Sequence, residues 1–170
     1  MKSKAYRGAA VNRVDVGRLA QGHEGQSLIV GVDVGKYQLV AVGRWSDGRF
    51  ERPWRVANPG QIGDLVGLLK ELASQRAVTV ALEPSGTYGD ALRQALQEAG
   101  LPVRRVSPKA AHDYAEVFDG VPSQHDGKDA AVGAELAALA SRVRGRTARR
   151  RSGSRSWRTG SSGRRPKARS

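Results

Sequence analysis

The sequence predicts an α/β domain, a mixed five-stranded sheet with helices on both faces. Three observations lead there. Apolar stretches of strand length come first, in "SLIVGVD", "YQLVAVGRW" and "RFERPWRVA", with no helical stretch between them. From residue 58 onward, stretches with a period of about 3.6 residues alternate with short β-branched runs. Hairpin strands followed by alternating helix and strand require antiparallel and parallel pairing within one sheet.

Residues 1–27 are polar, contain glycine and hold no sustained period, so they read as a flexible leader. "SLIVGVD" is a continuous apolar run and therefore a central strand. The next two runs flank the turn "SDG" and form a hairpin, with Pro53 marking the later one as irregular or at an edge. "NPGQIGDLVGLLKELAS" opens a helix, with Asn58 as N-cap and Pro59 at the first helical position. Its buried face is Ile62, Leu65, Val66, Leu69 and Leu72. "AVTVALE" is a strand, and "TYGDALRQALQEAG" a helix capped by Thr87 or Ser85 and ended at Gly100. "LPVRRVS" is the last strand. "SPKAAHDYAEVF" is a helix capped by Ser107, and "HDGKDAAVGAELAALAS" an Ala-rich final helix. This is the element order of the ribonuclease H-like fold.

Composition sets bounds on the function. The absence of cysteine excludes disulfides and thiolate metal sites. The N-terminus lacks the roughly 7–15-residue apolar core of a signal peptide, and no run approaches the roughly 18 residues of a membrane helix. A cytoplasmic protein without a membrane partner is expected. The net charge is +13, unevenly placed. Residues 141–170 hold 12 of the 29 Lys and Arg and no Asp or Glu, which leaves 17 basic and 16 acidic side chains elsewhere. That tail, including Arg149, Arg150 and Arg151, is rich in Arg, Ser and Gly and reads as disordered, suited to polyanions such as DNA.

Asp33 interrupts the apolar run of the first strand, where an unpaired carboxylate costs several kcal/mol to bury. Glu83 ends the fourth strand, in "VALEPSGTY". If those strands are neighbours, the two carboxylates meet where open α/β sheets bind ligands, outside the carboxyl ends of the parallel strands. Asp126 and Asp129 are spaced i, i+3 and share one helix face. Four converging carboxylates repel one another unless a cation compensates. Mg²⁺, or Mn²⁺, suits such hard oxygen donors, and a pair of such ions would flank a phosphodiester. Lys36 follows Gly35 but lacks the spacing of a phosphate loop. It is either a phosphate contact beside the metals or an exposed turn lysine. Lys128, between the two aspartates, points away from them toward nucleic acid.

"IVGVDVGKYQLVAV", "VALEPSGTYGDALRQALQEAGLPVRRVSPKAAHDYA" and "HDGKDAAVGAELA" together resemble the N-terminal, RuvC-like domain of the insertion-sequence-110 family of bacterial transposases. The resemblance covers about residues 28–140. It implies an Asp-Glu-Asp-Asp tetrad on Asp33, Glu83, Asp126 and Asp129, acting with metal on DNA. It also implies a structured guide RNA as partner and a homo-oligomer in the full-length form. Family members are about twice this length and carry a second domain with a nucleophilic serine, so a truncated or frameshifted transposase is expected. Two other classes stay open. One is a phosphotransferase of the acetate and sugar kinase fold, whose Asp-x-Gly turn "VDVG" resembles. The other is a non-catalytic nucleic-acid binder.

Overall fold

The computed structural model describes residues 8–83, 86–118 and 127–152, with side chains to residue 144. The elements in chain order are β1 (Ala9–Ala10), a 3-10 turn (Val11–Arg13), α1 (Val16–Ala20), β2 (Leu28–Val34), β3 (Gln38–Trp45) and β4 (Trp54–Ala57). They continue with α2 (Ile62–Ala73), β5 (Val78–Leu82), α3 (Asp90–Glu98), β6 (Val103–Arg105), α4 (Pro108–Val117) and α5 (Lys128–Ser152). The strand order is β1-β4-β3-β2-β5-β6. β2–β3 and β3–β4 are antiparallel, while β2–β5, β5–β6 and β1–β4 are parallel. The mixed sheet is the one expected, and β2 lies beside β5, the condition on which Asp33 and Glu83 come to the same edge. The strand count is six, because two residues of the leader add a strand.

Alternation along the strands separates two faces. Leu28, Val30 and Val32 of β2 pack with Leu39 and Ala41 of β3 and with the leucines of α2 and α3. On the opposite face Val42 packs on Ala130 and Ala131 of α5, and Ile29 and Ala81 on Ala137. The buried set of α2 is Ile62, Leu65, Leu68, Leu69 and Leu72, so Leu68 takes the place expected of Val66, which is half-buried.

The leader is not flexible over residues 8–27. Val11, Val16 and Leu19 are buried in the main core, and Asp15 caps α1 by accepting from the N–H of Arg18. His23 stacks on the buried Trp45 with centroids 4.0 Å apart, and Arg76 lies 5.0 Å from the Trp45 ring while donating to the His23 carbonyl. Short apolar segments of this kind lack a period long enough to register in sequence. Nor is the proline-led β4 an edge strand, because β1 pairs along its outer side.

The chain divides into two compact units, Met1–Leu139 and Ala140–Ser170. In the second unit the expected disordered tail is helical as far as Ser152, including Arg149, Arg150 and Arg151. Consecutive Arg and Ala are good helix formers. Residues 153–170 lie outside the described part.

Candidate active site

β2 and β5 run parallel with Val32 opposite Leu82. Asp33 and Glu83 are the next residues outward on these neighbouring strands, at their carboxyl ends, and both are exposed. The alternation that turns Gly31 toward α5 turns Asp33 the same way. α5 comes unusually close there. A Cβ on Gly31 would overlap the carbonyl oxygen of Ala130 and stand 2.8 Å from the backbone N of Ala134. Only glycine lets a helix backbone lie directly on the strand.

That contact brings the first turn of α5, with Asp129, over the end of β2. The tip of Asp33 reaches solvent, yet the surrounding protein desolvates it. Burial first, and the negative charge of Asp129 second, push its carboxyl above the ordinary value, against a lowering hydrogen bond from the Val34 backbone. Asp33 therefore senses the charge of Asp129. Asp126 lies outside the described residues. Among the described residues no three acidic or histidine side chains form one metal-holding group.

Further contacts fix α5 on the sheet and join the loops at its carboxyl end. Arg44 of β3, 5% exposed, donates through Nε and Nη2 to the Glu135 carboxylate of α5 and through Nη1 to the Trp45 carbonyl. Gly127 fits against Pro53 and Val42, where a Cβ would stand 2.7 Å from Pro53 Cγ. Asn58 is not a helix cap: α2 starts later, after Gln61, with no side-chain cap. Its amide donates instead to the carbonyls of Gly35 (2.9 Å) and Tyr88 (3.1 Å), tying the β2–β3 turn to the loop before α3. Gly86 has φ +51, as a tight turn beside Glu83 demands. The N-cap of α3 is Gly89 rather than Thr87, and Ser85 lies outside the described residues.

Lys36 is exposed in the β2–β3 turn, its Nζ 5.1 Å from the ring centroid of Tyr37. Lys128 is the half-buried first residue of α5. Sequence reasoning missed Asn58 as a bridge and the Arg44–Glu135 pair. It also missed Arg13 and Arg55, exposed residues on elements read as a flexible leader and an irregular strand. The apolar–basic alternation of "WRVA" was the one available signal for Arg55.

The fold is similar to that of a solved Thermus thermophilus RuvC bound to a Holliday junction substrate. The identity is 17% and the TM-score 0.50, over 69% of this chain and 96% of that one. Another Thermus thermophilus RuvC structure aligns at 16% identity and TM-score 0.46, over 68% and 96%. A search of curated proteins finds no significant match. A sequence-family profile described as a transposase, of the insertion-sequence-110 type with a DEDD signature, matches residues 30–154 and so runs beyond residue 140. With most of its length matched, the chain belongs to the DEDD transposase family of the insertion-sequence-110 type.

Proposed function

We propose that the carboxyl end of β2 and β5 is a divalent-metal site acting on DNA phosphodiesters during transposition. The observation that carries this is the Asp33–Asp129 pair: two carboxylates from remote segments are held close enough that one raises the pKa of the other. A purely structural site would not keep such a repulsion, which costs stability unless a cation offsets it. The donors fit Mg²⁺ or Mn²⁺, being hard oxygens with no competing lysine or arginine bridge on Asp33 or Asp129 among the described residues.

Asp33, Glu83, Asp126 and Asp129 would hold the metal. When bound, it would supply charge neutralisation at the phosphate and a lowered pKa for the attacking water. The protein holds Asp129 over the end of β2 through the Gly31 contact and the Arg44–Glu135 pair, both of which fix α5 on the sheet. Asn58 and Gly86 set the two loops flanking the carboxylates. In this reading Lys36, Lys128 and the Arg149–Arg151 run contact nucleic-acid phosphates, residues 28–140 form the catalytic part and residues 141–170 a basic extension. The substrate is DNA, as family membership suggests, and the protein works in the cytoplasm. No described helix is long and apolar enough to cross a membrane.

The test is a thermal melt with increasing Mn²⁺ or Mg²⁺, for wild type and Asp33→Ala, followed by cleavage of branched and duplex DNA. Metal should raise the melting temperature of the wild type alone. A folded wild type that neither responds to metal nor cleaves DNA sinks the reading.

A further inference from the structure

A groove of about 660 Å³ opens beside β1 and β4. Its lining includes Gly8, Asn12, Arg13, Arg52, Arg55 and Gln61, with no acidic side chain. Arg13 and Arg55 are exposed, and neither is paired with a carboxylate among the described residues. The guanidinium groups of Arg13 and Arg55, gathered on one groove without a carboxylate partner among the described residues, repel one another, so the arrangement lowers its energy when a polyanion enters.

The position of the groove is set by strand register. Asp33 pairs with Val40, and Val40 with Arg55. Directly opposed residues share a face, and Trp54 and Val56 are buried on the other side. Arg55 therefore projects from the face that carries Asp33. Two strand spacings put their Cα atoms about 10 Å apart, or about three nucleotide steps at about 3.4 Å of rise each. Pro53, two residues before Arg55, touches Gly127 at the start of α5, so the groove adjoins the helix end that bears Asp129.

The leader builds the groove. Gly8 lies against the Arg55 stem, where a Cβ would stand 2.9 Å from Arg55 Cγ and 3.2 Å from the Pro53 carbonyl. The Ala9 N–H donates to that carbonyl at 2.8 Å, which clamps β1 onto β4. The side chains of β1 are only methyl groups, so a strand can approach closely. Guanidinium forks matched with the amides of Asn12 and Gln61 are donors suited to phosphate oxygens.

We infer that this groove, centred on Arg13 and Arg55, holds the phosphate backbone of the DNA strand whose neighbouring phosphodiester lies at the carboxylates. The inference rests on the reading that those carboxylates act on DNA. Contacts of this kind position the strand and carry no sequence preference.

The experiment measures binding of the full chain to a labelled DNA duplex, in chelator, across a salt series. Wild type is compared with Arg13→Ala/Arg55→Ala and Arg13→Lys/Arg55→Lys, each checked for an unchanged melt. The basic tail is common to all three, so its contribution cancels in the comparison. The alanine pair should bind about tenfold more weakly, with a salt slope shallower by about 1.8, from about 0.9 per lost phosphate contact. The lysine pair should keep most of the slope. Equal affinity and slope for wild type and the alanine pair would overturn the inference. So would a loss confined to structured RNA. Cleavage of the same duplex with Mn²⁺ separates the two readings. Groove-dependent binding by a wild type that never cleaves supports the groove and overturns the carboxylate assignment. Cleavage that ignores the alanine pair does the reverse.

Discussion

Gly31 of β2 and Ala130 of α5 touch through their backbones, and a side chain at position 31 would occupy the space of the Ala130 carbonyl oxygen. The helix cannot move away freely, because Gly127, Val42 and the Arg44–Glu135 pair hold it nearby. Gly31→Ala should therefore destabilise the fold by about 1–3 kcal/mol, as overpacking does. It should also draw Asp129 away from Asp33 and weaken the metal-induced rise in melting temperature. Denaturant unfolding and a metal titration measure the two effects. A stability within error of wild type would show that the close approach is not enforced.

The Arg44–Glu135 pair bridges strand and helix with little access to water. Glu135→Ala leaves a buried guanidinium without its partner and should cost about 3–5 kcal/mol. The double replacement Arg44→Met/Glu135→Leu removes both charges and should recover most of that loss. A double-mutant cycle by urea denaturation checks this. Additive losses would mean that the pair is not coupled.

The pH response of the metal-free protein follows from Asp33. Its folded-state pKa lies above the ordinary 3.8. The folded state therefore favours the protonated form, and that stabilisation is full below the unfolded value. It is lost as pH rises through the folded value. At neutral pH in chelator, Asp33→Asn should melt higher than wild type, and the gap should close as pH falls below 3.8. A constant gap across that window would assign the difference to something other than charge.

Asn58→Ala removes the donor to both Gly35 and Tyr88. Two loop carbonyls then turn to water, at a cost of about 1–3 kcal/mol. The larger expected effect is looser geometry at the carboxylates, read as faster amide hydrogen exchange around residues 35 and 88. Unchanged exchange in a folded variant would leave Asn58 without a positioning role.

Much of the architecture is legible in the amino-acid sequence. Apolar runs of strand length marked β2 and β3, and the 3.6-residue period marked α2 and α3, because each of these elements is long enough for its pattern to show. β1 was not legible, since two residues cannot display a period. β4 was read as irregular or at an edge because of Pro53, whereas an outer neighbour comes from more than forty positions earlier in the chain.

The order of elements, the apolar faces and the placing of Asp33 and Glu83 at strand ends are already written in the amino-acid order. Those features follow from local periodicity and from the rule that a strand ends where its apolar run ends. Packing of the whole chain settled that β5 lies beside β2, that α5 rests on Gly31 and that Asp129 acts on Asp33. It also decided that the leader completes a basic groove around Arg55. Each of these joins segments far apart in the chain, and a local pattern shows that a residue seeks a partner without showing which remote surface supplies it.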